Sequence, residues 1–292
     1  MAMDVRPRRS ALYMPGSNAR ALEKARGLPA DMLILDLEDA VAPDAKEAAR
    51  RQVTEALAAG GYGSRELVVR VNGLETPWGR DDVAAITHSR TDAVLLPKVE
   101  TAAVVREAAD LLARSGAPES LRLWCMIETP RGVLRAAEIA AAHARLAGFV
   151  MGTSDLAKDL HARHVPGRLP LIVSLELCVL AARAHGLAIL DGVHLDLDDA
   201  EGFVAACRQG AELGFDGKTL IHPKTIAAAN EAFAPRAEEV AFAEKIIAAH
   251  AAAEAKGQGV VVVDGKLIES LHVAEAKRLV ALAASIRARE GG

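Results

Sequence analysis

Cysteines, aromatic side chains and long apolar runs are all scarce in this 292-residue chain. The three cysteines, Cys125, Cys178 and Cys207, lie far apart inside apolar segments. They form neither a CxxC pair nor an even-numbered framework, which excludes a disulfide scaffold and fits a reducing compartment. Their plain role is as small buried hydrophobes. No apolar run approaches the ~20 residues of a membrane span, and the basic N-terminus lacks the apolar stretch of a signal peptide behind it. An excess of one charge is missing too: 35 Lys and Arg face 39 Asp and Glu, a net charge of −4. That balance gives no electrostatic pull toward nucleic acid or an anionic membrane. Only 3% of the chain is aromatic, but 51% is hydrophobic and 25% charged, which excludes disorder. The expectation is a cytoplasmic protein with neither nucleic acid nor membrane as partner.

What is present is a repeat of short apolar runs, each followed by an Ala-rich helical stretch. The runs are 11–14, 32–36, 67–72, 93–97, 121–128, 148–152, 188–192 and 218–222. Continuous rather than alternating apolar runs indicate strands covered on both faces, as in a parallel sheet. Helices are predicted over 18–26, 44–59, 80–89, 101–114, 130–143, 170–185, 198–213 and 223–255, several of them opened by a cap or a proline. Eight β–α units over ~250 residues match an α/β (β/α)8 TIM barrel. The competing open sheet, if it bound a dinucleotide, would carry a GxGxxG turn after its first strand; that strand ends instead in Met14-Pro15-Gly16-Ser17. Residues 1–256 are read as the barrel and 257–292 as a C-terminal extension, a lid or an oligomer arm.

Barrel chemistry is built at the carboxyl ends of the strands. There the second run ends in Asp36-Leu37-Glu38-Asp39, the third in Arg70-Val71-Asn72 and the fourth in Pro97-Lys98-Val99-Glu100. Glu128 and Asp155 leave consecutive strands, neighbours ~4.8 Å apart, so both carboxylates can reach one point. Two hard oxygen ligands without His or Cys suit Mg²⁺, completed by water and substrate oxygens. The plainer reading has Glu128 capping its helix or pairing with Arg131, and Asp155 capping a helix from Leu156. Arg70 has two readings as well: a fork that holds a carboxylate or stabilises an enolate oxygen, or a salt bridge to Asp36 or Glu38. His161 and His164, with Arg163 and Arg168 nearby, read as a solvated loop. Gly60, Gly61 and Gly63 read as a loop rather than a phosphate cradle.

Seven segments, in order from residue 9 to about 235, resemble the HpcH/HpaI aldolase and citrate lyase β-subunit family, especially its malyl-CoA and citramalyl-CoA lyase branch. They are 9–17 (RSALYMPGS), 35–44 (LDLEDAVAPD), 69–73 (VRVNG), 96–99 (LPKV), 127–132 (IETPRG), 152–155 (GTSD) and 217–224 (GKTLIHPK). The resemblance implies a (β/α)8 barrel forming homotrimers or hexamers, with Mg²⁺ (Mn²⁺ as a substitute) on Glu128 and Asp155. It places Arg70 at the 2-oxo acid and thioester, and Tyr13, Lys24, Ile221 and His222 along the CoA or substrate. Where the family often carries an arginine after the Pro-Gly-Ser turn, this chain has Asn18, with Arg20 as a possible replacement. The branch also places an Asp on a segment capping the neighbouring subunit's site. Here that run is Gly265-Lys266-Leu267-Ile268-Glu269, so Glu269 is the expected general acid or base, with Asp264 as the poorer candidate beside a turn glycine.

The implied activity is Mg²⁺-dependent carbon–carbon cleavage of a 3-hydroxyacyl-CoA to acetyl-CoA and a 2-oxo acid. Three alternatives stand beside it: a citrate lyase β subunit acting on an acyl group borne by a carrier protein, a malyl-CoA thioesterase or malate synthase-like relative, and a non-catalytic metabolite-binding subunit.

Overall fold

Leucine-rich and β-branched runs buried on both faces form a closed eight-stranded parallel barrel in the computed structural model, which describes residues 5–255, 257 and 259–290. The strands are β1 (Ser10–Pro15), β2 (Met32–Asp36), β3 (Glu66–Arg70), β4 (Ala93–Leu96), β5 (Arg122–Ile127), β6 (Leu146–Met151), β7 (Ala188–Asp191) and β8 (Gly217–Leu220). Each pairs with the next in chain order, and β8 returns to β1 with Lys218 opposite Ser10. The expected barrel is the fold, and the open sheet is excluded.

The helices of this unit are α1 (Ala19–Ala25), α2 (Lys46–Ala59), α3 (Gly79–Ile86), α4 (Ala102–Arg114), α5 (Pro130–Leu134), α6 (Ala136–Ala140), α7 (Thr153–Asp159), α8 (Ile172–Ala184), α9 (Ala200–Leu213) and α10 (Ile226–Ala232). Two of the expected helices are broken. Residues 130–143 split at Arg135, whose ψ of 12° leaves the helical region. The single helix expected over 223–255 becomes a 3₁₀ turn, α10, and a separate helix after Pro235, whose ring cannot continue α10.

Alternation along each strand sorts the core into two shells. Leu33, Leu35, Val69 and Ile127 pack with helix residues such as Leu22, Val53, Val83 and Val105, so they face outward. Met32, Ile34, Val68, Leu95, Trp124 and Met126 cluster only with other strand residues, so they fill the axis. Counting on by two from the axial set fixes what reaches the mouth: Tyr13, Asp36, Arg70 and Glu128 point inward at the carboxyl ends. At the same level Gly152 and Gly192 directly follow β6 and β7. A Cβ on Gly152 would lie 2.3 Å from Glu128 Cβ, and one on Gly192 would lie 2.3 Å from Thr153 Oγ1. The glycines therefore make the room that the carboxylate and α7 occupy.

The chain divides into two compact units, Arg8–Phe233 and the chain from Ala234 onward with residues 5–7. In the second, α11 (Ala237–Glu254) and α12 (Ser270–Glu290) enclose a hairpin of β9 (Val261–Val263) and β10 (Lys266–Ile268), packed through Ala243, Ile246, Val263, Ile268 and Val273. Asp264 and Gly265, with φ of 47° and 79°, turn the hairpin as an Asp-Gly pair does in a tight turn. No helix among the described residues is long and apolar enough to cross a membrane.

Candidate active site

Arg70 is held before anything else could bind it. Its Nε and Nη2 donate to Asp36 Oδ1 and Oδ2 at 2.7 and 2.6 Å, a two-bond fork buried with both partners. Nη1 lies 2.9 Å from Glu38 Oε2, out of hydrogen-bond alignment, and 3.5 Å from Met126 Sδ. The guanidinium sits 4.9 Å over the Tyr13 ring, and the Tyr13 hydroxyl donates to Met126 Sδ. Burial opposes the charge on Arg70, but the Asp36 bonds outweigh it and keep it protonated. Burial likewise keeps the Tyr13 phenol protonated. The salt-bridge reading of Arg70 is thus present in the structure. It leaves one edge, Nη1, turned toward the acids at the mouth.

The β2 exit is shaped by the same carboxylate. Asp36 accepts from the amides of Glu38 and Ala40, so the chain after β2 wraps around it. Lys46 donates to the Leu37 and Glu38 carbonyls, and Asn72 Nδ2 donates to Leu37 O. Fully buried Asp82 accepts from Asn72 and from Arg50 Nε. None of Lys46, Asp82 or Arg50 was singled out from the sequence. The signal for Lys46 was there: it shares a helical face with Ala49, Val53 and Leu57, all buried, so a charge at that position needed a partner.

Glu128 takes neither of its plainer roles. Thr129 caps α5 by accepting from Gly132 N, and Arg131 pairs with Glu100 at 3.3 Å. Glu128 is 1% exposed. Its Oε1 accepts from the Lys98 amide at 2.7 Å, and its Oε2 lies over Gly152. Burial pushes its carboxyl up to about 7, against the lowering effect of that amide bond. Asp155 does not cap its helix either, since α7 already begins at Thr153. It stands in the first turn, half-buried, its side chain without a partner among the described residues.

Around this mouth the carboxylates Asp36, Glu38, Asp39 and Glu128 face the cations Arg70, Lys46 and Lys98, the last of which pairs with Glu38 and lies 3.7 Å from Asp39. Carboxylates exceed cations there. No group of three or more His, Cys, Asp or Glu side chains suited to hold a metal occurs among the described residues. A cation at the mouth would therefore take one or two protein carboxylates and complete its shell with water and substrate oxygens, which is the habit of magnesium.

Other expected residues are more scattered. Asn18 caps α1 by accepting from Ala21 N, and Lys24 on α1 is exposed without a side-chain partner among the described residues. Ile221 is exposed just past β8, and His222 Nδ1 caps the following turn by accepting from Lys224 N. His161 and His164 are exposed on a loop. In the second unit, Asp264 pairs with Lys245 at 3.0 Å, while Glu269 is exposed at the start of α12, its amide donating to His272 Nδ1.

Residues 9–223 match the family model described as HpcH/HpaI aldolase/citrate lyase. A (3S)-malyl-CoA thioesterase of Cereibacter sphaeroides is 52% identical over 288 residues, 99% of both chains. The citrate lyase subunit beta of Leuconostoc mesenteroides subsp. cremoris is 38% identical over 283 residues, covering 95% of this chain and 94% of its own. Among solved structures, the protein CitE of Mycobacterium tuberculosis in complex with magnesium, acetoacetate and coenzyme A aligns with a TM-score of 0.76 at 31% identity. That alignment covers 96% of this chain and 99% of the other.

Proposed function

Because this chain belongs to the HpcH/HpaI aldolase/citrate lyase family, we propose that it is a magnesium-dependent enzyme acting on a CoA thioester of the malyl-CoA type, with hydrolysis to the free acid and CoA as its reaction. The observation that carries the reading is the barrel mouth: a guanidinium fixed in two bonds near a buried carboxylate that makes no close ion pair among the described residues. Hydrolysis, rather than the carbon–carbon cleavage expected from sequence, is supported by the thioesterase relative, at 52% identity against 38% for the citrate lyase subunit.

Glu128 and Asp155 would hold the cation. Both are hard oxygen donors, and burial pushes the Glu128 carboxyl up to about 7 even with Lys98 and Arg70 nearby, so a divalent cation there would offset the cost of burying its charge. Bound there, Mg²⁺ (or Mn²⁺) would supply Lewis acidity to the acyl group's carboxylate and neighbouring oxygen. The Nη1 edge of Arg70, turned toward Glu38 at the mouth, would meet the thioester oxygen, where negative charge grows when water adds to the carbonyl. Asp36 keeps that fork in place, so no reorganisation is needed as the charge develops. Water loses a proton and the departing thiolate gains one; Glu269 of a neighbouring copy, in trans as the family resemblance implies, is the carboxylate proposed for that transfer.

Carbon–carbon cleavage is the second reading, favoured by the same constellation, because an enolate oxygen formed on breaking that bond would meet the same arginine edge. The two separate on products. With (3S)-malyl-CoA, hydrolysis gives malate and free CoA, whereas cleavage gives glyoxylate and acetyl-CoA; a chain releasing only the second pair is a lyase and not a thioesterase.

Self-association as a trimer or hexamer belongs to this reading. Its support is a stripe along α8 and the turn before it, where Leu169, Val173, Leu177 and Leu180 are 78, 71, 41 and 65% exposed, a kind of face that marks association surfaces. Light scattering on the purified chain should give an oligomer mass, and Leu177→Asp with Leu180→Asp should lower it; a wild-type monomer contradicts the assignment.

A further inference from the structure

Lys98 follows β4 with a φ of 48°, in the left-handed region that side chains disfavour. Lysine has no short polar side chain to make that conformation cheap, so the surroundings must hold it there. Two contacts do so. Its amide donates to Glu128 Oε1 at 2.7 Å, and its ammonium pairs with Glu38 Oε1. The next amide, of Val99, returns to the β5 carbonyl of Met126, so the reversal is confined to a single residue. One residue thus reaches both the carboxylate at the end of β5 and the acid beside Arg70.

We infer that Lys98 is a positioning residue whose left-handed backbone turns an amide into the barrel mouth to fix one oxygen of Glu128, leaving the other for a divalent cation. The inference rests on the proposal that Glu128 is a magnesium ligand. Partners that orient a ligand in this way typically change metal affinity 10- to 100-fold when lost. The backbone, not the ammonium, performs this task, so the ordering of variants at 98 is set by tolerance of positive φ.

The test is Mg²⁺ titration by calorimetry on wild type, Lys98→Gly, Lys98→Ala and Lys98→Val, with circular dichroism and melting in EDTA as fold controls. All three variants lose the ammonium, so differences among them report the backbone. Glycine adopts positive φ freely and keeps the amide; its Mg²⁺ affinity should stay within about threefold of wild type. Valine, β-branched, resists the conformation, and should bind about 10- to 100-fold more weakly, with alanine between. Should valine fail to fold, glycine against alanine still gives the ordering. Equal affinities for glycine and valine in a wild-type-like background of Mg²⁺ binding overturn this inference alone. Absence of Mg²⁺ binding by the wild type overturns the magnesium proposal, and this inference with it.

Discussion

Glu128→Gln is expected to weaken Mg²⁺ binding at least ~100-fold, more than the loss of a residue that merely orients a ligand, and to cut kcat/KM by about 10³, the several kcal/mol of a lost Lewis acid. Glutamine has nearly the same shape, keeps an oxygen for the Lys98 amide and needs no more room over Gly152, so the fold should survive; circular dichroism checks that. The variant should also lose a pH dependence that the wild type shows. Burial holds the metal-free Glu128 carboxyl at about 7, above its ordinary 4.5. Below pH 7 the cation must displace a proton, so wild-type Mg²⁺ affinity should fall about tenfold per pH unit on the acid side and level off above it. The sign for stability is the reverse. A pKa raised on folding contributes stability that is complete below about 4.5 and lost as pH rises through about 7. The metal-free wild type should therefore gain more from added Mg²⁺ at pH 8 than at pH 5.5, and Glu128→Gln should show no such contrast. Melting curves with EDTA or Mg²⁺ at both pH values measure this. A Gln variant that binds Mg²⁺ like the wild type removes Glu128 from the site.

Arg70→Lys carries the second large effect. It preserves the charge but not the fork: an ammonium cannot meet both oxygens of Asp36 and still present an edge to the mouth, nor does it spread flat over Tyr13. A drop of about 10²–10³ in kcat/KM is expected, the scale of losing one oriented donor to a developing oxyanion. The loss should fall mainly on kcat if Arg70 acts on charge that grows during the reaction, and on KM if it merely anchors the substrate. Mg²⁺ affinity should change little, which separates this variant from Glu128→Gln. Activity within tenfold of wild type would falsify the role given to Arg70.

The barrel was legible because its strands are buried on both faces, so eight short runs, most of them near-continuously apolar, stand out from the Ala-rich helices between them. The placement of Glu128 and Arg70 at the strand ends was legible for the same reason, each being a charge at the exit of an apolar run. Breaks within helices were less so: Pro235 is visible in the sequence, but Ala-rich segments on either side hid that it separates two helices, and nothing in the sequence marks Arg135 as a break. The pairing of Arg70 with Asp36 was one of two open readings, because residues 34 positions apart meet only once β2 and β3 lie side by side with Asp36 opposite Arg70. Lys98 was hidden more deeply. Its role belongs to its amide and its φ, which no side-chain pattern encodes, whereas Lys46 announced itself as a charge on an otherwise apolar helix face. Asp264 had two readings, the poorer candidate acid or base and a turn residue beside Gly265; the structure shows the hairpin turn, with its carboxylate paired to Lys245.

Turnover of (3S)-malyl-CoA by the purified chain, followed with Mg²⁺ and then with EDTA, tests the central claim most directly. Free CoA and malate should be released, their release should stop when the metal is removed, and it should return when Mg²⁺ is restored. Turnover unaffected by EDTA, or a folded enzyme with Mg²⁺ that leaves malyl-CoA intact, would contradict that claim.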